Sequence, residues 1–186
     1  MARRIPLTLG SDGLSQRLQG VDNLAGGAAS RATTLSVANA QAAVIGLQAA
    51  AGDLAVGTVV CFAVWGLLSN TTTASTLVLR LRVGPTTLVG AVVASASFAL
   101  GTTARTNVPF CLTGAFTVLS VGAAGTAIGQ LVLNANTATP LGNATAPVTA
   151  PVAINTTVAN LAELTVISGD ASTTLVVHAA TAQFAN

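Results

Sequence analysis

Charge is what this chain has least of. Its 186 residues include seven arginines, no lysine and five acids, so charged residues make up 6%, against roughly 25% in an ordinary soluble domain. Aromatic residues are as scarce, at 3%, with no tyrosine and a single tryptophan. Histidine occurs once and cysteine twice. Each shortage excludes something. Chains that stay disordered are poor in apolar residues and rich in charge, and this one is 52% hydrophobic. A lone His178 cannot hold a metal, and Cys61 and Cys111 are too far apart for any metal-ligand spacing. Sugar recognition leans on aromatic faces, which are nearly absent. Net charge keeps proteins apart in solution, so a surface this short of charge is expected to be covered in an oligomer or a lattice.

Catalysis has equally little to work with. Glu163 and Asp170 are seven residues apart across a strand and a turn, which is no acid–base pair held at a defined distance. Serine and threonine abound, but a nucleophile needs a base and a group to orient it. No nucleophile elbow, phosphate loop or dinucleotide fingerprint occurs. The chain is therefore expected not to be an enzyme and to use no cofactor or metal.

A net charge of +2 gives thin support for nucleic acid as a partner, because such surfaces need many phosphate contacts and, for single strands, aromatic platforms. A membrane span is not expected either, despite a mean hydropathy of +0.74. The charge-free stretch from Leu54 breaks after Leu68 into Ser69-Asn70-Thr71-Thr72-Thr73, which would sit badly in hydrocarbon. Pro6, Gly10, Ser11 and Asp12 interrupt any apolar signal region behind Arg3 and Arg4. Two buried thiols in a reducing compartment are the simplest account of the cysteines, with a Cys61–Cys111 bridge between neighbouring strands as the alternative.

What is present divides in two. Residues 1–32 hold Arg3, Arg4, Arg17, Arg31, Asp12 and Asp22, half of all the charges, among scattered glycines. They follow neither a helical nor an alternating pattern and read as an extended N-terminal arm. Residues 33–186 read as one all-β domain, an antiparallel β-sandwich of about eight strands. Thr76 to Val83 is the plainest strand: Leu77, Leu79, Leu81 and Val83 share one face, and Arg80 and Arg82 point from the other. Thr58 to Leu68 is apolar on both faces and reads as buried on both sides. Further runs are 41–48, 87–99, 108–121, 126–135, 161–168 and 173–184. Between them lie turn-rich segments, including Ala135 to Pro151 and a hairpin turn at Ser168-Gly169-Asp170-Ala171. Helix is the rival for 36–51, where alanine and glutamine favour it; Val37, Val44, Ile45 and Gly46 favour strand.

The opening segment RIPLTLGSDGLSQRLQGVDNL resembles the N-terminal segment of many tailed-bacteriophage structural proteins. Those share an Arg-rich start, a Pro-Leu pair, a Ser/Asp-Gly and a Leu-Gln-x-x-Asp-x-Leu run, matched here by Leu18 to Leu24, with Val21 where glycine is commoner before the aspartate. Leu77 to Gly84, Asn107-Val108-Pro109-Phe110 and Gly125 to Gln130 follow in the order seen in jelly-roll head proteins, so the chain resembles capsid decoration, or cement, proteins. The resemblance implies a jelly roll that assembles as a trimer on the outer surface of the virion head. There it would hold neighbouring major capsid proteins together after synthesis in the bacterial cytoplasm. Arg3, Arg4, Arg17 and Asp22 of the arm, with Arg80 and Arg82 on their strand face, are the expected protein-interface residues. A tail-fibre or spike module that binds a host surface is the first alternative, because the same opening occurs there. A carbohydrate-binding β-domain is the second.

Overall fold

In an extended chain successive side chains point to opposite faces. Around residue 80 this places Leu77, Leu79, Leu81 and Val83 in the interior and leaves Val78, Arg80 and Arg82 half-buried on the outside. The computed structural model describes residues 33–36, 41–74, 76–135, 144–147, 150–169 and 172–185. Among them there is no helix, and eleven strands: β1 (Thr33–Ser36), β2 (Ala42–Ala49), β3 (Val59–Asn70), β4 (Thr76–Gly84), β5 (Ala91–Ala99), β6 (Arg105–Ser120), β7 (Gly125–Ala135), β8 (Ala144–Pro147), β9 (Val152–Ile154), β10 (Asn160–Ser168) and β11 (Thr174–Ala185).

They form two antiparallel sheets. The larger has seven strands in the order β1-β11-β3-β6-β7-β8, with β9 also paired to β7; the smaller has four, in the order β2-β10-β4-β5. The pairings nest: β4 with β5, β3 with β6, β2 with β10 and β1 with β11. That is a long double strand rolled over on itself so that successive pairs alternate between the sheets, which is the winding of a jelly roll. Strands β7 to β9 are added between β6 and β10 and widen the larger sheet.

The inner faces meet in one apolar core. The smaller sheet contributes Leu47, Leu79, Leu81, Phe98, Leu164 and Val166, and the larger Val60, Phe62, Val64, Leu112, Phe116 and Leu131. Each such side chain contributes roughly 1.5–3 kcal/mol by leaving water. Polar groups trapped near the rims are paired, as buried groups must be. Asn70 Nδ2 donates to the carbonyls of Thr71 (2.7 Å) and Thr103 (3.2 Å), and Asn160 Nδ2 to those of Asn155 and Val158 (both 2.8 Å).

The all-β sandwich expected from the sequence is the fold observed, and the 36–51 region supplies strand β2. Four details differ. Strands β8 and β9, of four and three residues, lie in or next to the segment read as a separator, because pieces so short carry little alternation. The run 87–99 is strand only from Ala91. Ser168 to Ala171 does not close a hairpin: β10 and β11 belong to opposite sheets, so the chain crosses the sandwich there. Finally, β3 is covered on one face only. Its Val60, Phe62 and Val64 are buried, but Trp65 on the other face is 46% exposed.

Candidate interaction site

His178 sits on the outside of the larger sheet, at a bulge between Val177 and Ala179 that turns Ala180 back into the core. Glu163 is on the other sheet. Among the described residues no three of His, Cys, Asp and Glu lie together as a metal site would require. Cys61 faces Ala115 and Cys111 faces Trp65 across the same strand pair. The thiols are thus four residues apart in register, about 13 Å, beyond the reach of a disulfide; both are free, and neither is buried as expected, Cys61 being half-buried and Cys111 exposed on the outward face.

The two outer faces of the sandwich are built differently. On the smaller sheet a polar network is folded shut. Glu163 of β10 lies beside Arg82 of β4 in register and is 1% exposed. Its carboxylate accepts a hydrogen bond from the Thr87 hydroxyl (2.8 Å) and another from the Leu88 backbone N–H. Both donors belong to the β4–β5 connection, which arches back over the sheet with Leu88 at a φ of 64°. The neck of that arch is narrow: a Cβ on Gly84 would lie 2.5 Å from the Gly90 Cα, so glycine is needed where the two strands leave the sheet. Arg82 ties the arch from the other side. Its guanidinium donates to the Gly90 carbonyl (2.8 Å) and to Gln41 Oε1 (3.1 Å), and Gln41 Nε2 donates in turn to Thr165 Oγ1 (2.7 Å). Burial, then the neighbouring Arg80, lower the Arg82 pKa below the usual arginine range, and Glu163 opposes the shift.

Arg80 and Arg82 do share a face, as alternation requires, but they do not share a role. Arg80 gives this network only its backbone carbonyl, which accepts from Thr165 Oγ1 at 3.4 Å. Replacing Arg82 by alanine is therefore expected to cost about 1–3 kcal/mol, because it strands the Gly90 carbonyl and Gln41. Arg80→Ala should cost under ~1 kcal/mol. Equilibrium denaturation of the two variants side by side checks this; equal losses would mean that the network contributes nothing. Arg3, Arg4, Arg17 and Asp22 lie outside the described residues.

The larger sheet is the opposite case. From β11 across β3 and β6 to β7, its outward side chains include Val176, Cys61, Ala63, Leu67, Thr113, Ile128, Gln130 and Gln183; none is acidic, and the basic ones are His178 and Arg105 at the start of β6. That arginine is turned onto the carbonyls of Leu100 and Thr103. Trp65 stands in the middle, with Cys111 and Ala179 beside it. Among the described residues nothing covers Trp65, and a face this poor in charge with an exposed tryptophan at its centre is suited to contact. Sequence reasoning missed the arch over Glu163. The available signal was one glutamate in the otherwise uncharged run Asn160–Ser168, which needs a buried partner to be tolerated. When the chain is compared with protein-family models, curated proteins and solved structures, none of them matches it.

Proposed function

We propose that this chain is a structural virion protein, a decoration or cement protein on the outer surface of a bacteriophage head. In that role it stabilises contacts between major capsid proteins, assembles as a trimer and performs no catalysis. The observation that carries this is the outer face of the larger sheet, which across four strands holds no acid and, as basic groups, only His178 and Arg105, and which the other described residues leave exposed around Trp65. A jelly roll with such a face is suited to packing, and its polar residues are occupied in closing its own loops. The opening motif and the three shorter motifs within the strands add the likeness to tailed-phage head proteins. The arginines of residues 1–32 fit the same role, since a guanidinium fork suits carboxylates on a partner surface.

Counting copies in purified particles tests it. A decoration protein is present in numbers matched to the major capsid protein and leaves the head, not the tail, when stripped. A handful of copies that fractionate with tails would replace this proposal with a tail-fibre or spike module. No copies in the particle would overturn both.

A further inference from the structure

We infer that the outer face of the seven-stranded sheet, centred on Trp65, is the surface on which a second copy of this chain sits. The inference rests on the proposal that the protein works by packing, and it names the partner of that face. The contrast between the two sheets is the starting point. The chain covers its four-stranded sheet itself, with the arch over Glu163 and Arg82. Among the described residues nothing comparable lies over the other sheet, where Trp65 is 46% exposed.

Electrostatics then select the occupant. An ordinary protein surface is rich in charged residues. Pressing one onto this strip would strip water from those charges and offer no counter-charge, which is costly. A second copy lacks that problem on most of its surface: its described residues carry only Asp53, Glu163, Arg80, Arg82 and Arg105 as acids and arginines, and Glu163, Arg82 and Arg105 are turned onto groups of their own chain. The area is also sufficient. Strands β11, β3, β6 and β7 run for 11 to 12 or more residues. With strands about 4.8 Å apart and about 3.3 Å per residue, the strip covers on the order of 700 Å², close to the roughly 800 Å² that each partner buries in a standard interface. The anchor has the right chemistry, since tryptophan is enriched among the residues that dominate binding.

The chain's only tryptophan also reports the contact. Purified protein should sediment as an oligomer at micromolar concentration, and Trp65 emission should move to the blue as concentration rises and the ring leaves water. Thr113→Arg sets a charge on the same face, opposite Ala63 and Val132, and leaves the reporter in place. It should raise the dissociation constant at least ~30-fold, as removal of a dominant contact does, without changing the melting temperature of the dilute protein. Trp65→Arg should do the same by sedimentation. Val89→Arg, on the far sheet's arch and 76% exposed, should leave association unchanged. A wild-type chain that stays monomeric with a red, concentration-independent emission overturns the inference. So does a monomer with blue emission, which would mean that the chain's own remaining residues cover the strip. An oligomer indifferent to Thr113→Arg and Trp65→Arg overturns it as well. None of these results touches the copy number in particles, so failure here and failure of the capsid proposal are separate outcomes.

Discussion

Replacing Gly66 by alanine should cost at least ~3 kcal/mol and lower the melting temperature by roughly 6–12 °C. Gly66 lies on β3 inside the larger sheet, between Val177 of β11 and Phe110 of β6. A Cβ at this position would stand 1.9 Å from the Val176 carbonyl oxygen. The obstacle is backbone, so no side-chain end can swing aside. The bulge in β11 lies at the same level, between Val177 and Ala179, and the close approach of the two strands belongs to it. Relief would require β11 to move away from β3, which would pull Leu175 and Val177 out of the core they share with Val64. Overpacked cores lose ~1–3 kcal/mol when side chains can adjust; this site lacks that freedom. Gly46 is the control. Its added Cβ would meet the Leu161 Cδ1 at 2.8 Å, the far end of a flexible side chain, and Gly46→Ala should cost under ~1 kcal/mol. Denaturant titrations of both variants decide the matter. A Gly66→Ala protein that melts with the parent would mean that the bulge adjusts freely.

The contrast between these glycines marks where a sequence stops being legible. Alternation is local, so Thr76–Gly84 announces its two faces in its own letters, and the inward set of Leu77, Leu79, Leu81 and Val83 follows from them alone. Neighbours across a sheet are not local. Nothing in the segment around Gly66 says that its partner strand carries a bulge one hundred and more residues later, and nothing in Ser168-Gly169 says that the chain leaves one sheet for the other. The nested pairing β1–β11, β2–β10, β3–β6 and β4–β5 likewise depends on residues far apart, and no local pattern encodes it.

The candidate faces show a second limit. Apolar residues on both sides of Val59–Asn70 are equally consistent with burial inside one chain and burial between chains, since the hydrophobic effect does not record whose surface does the covering. Reading β3 as covered on both faces thus located an uncharged outer face, but the described residues bury only the other one and leave Trp65 exposed. With Arg80 and Arg82, alternation assigned the face correctly. It could not show that the Thr86–Gly90 connection folds back and claims only one of them.

That connection carries the other large effect. Glu163→Ala should destabilise the fold by about 2–4 kcal/mol. Three groups lose something at once. The Leu88 N–H and the Thr87 hydroxyl lose their acceptor, and Arg82, whose Nε is already buried without a hydrogen-bond partner among the described residues, loses the nearby negative charge that offsets its burial. Removing the carboxylate leaves the half-buried Arg82 charge with less compensation. Glu163→Gln retains a carbonyl oxygen for one donor and discards the charge, so its loss should fall between that of the parent and that of the alanine variant. The two contributions separate in a double-mutant cycle. In an Arg82→Met background the charge left behind no longer exists, and Glu163→Ala should then cost at least ~1 kcal/mol less than it does alone. Amide hydrogen exchange supplies the local readout: in Glu163→Ala the Leu88 N–H should lose protection ahead of the core strands, because the arch opens before the sandwich does. If Glu163→Ala melts like the parent, or if its cost is the same with and without Arg82, the carboxylate only fills space and the arch is held by Arg82 and Gly90 alone.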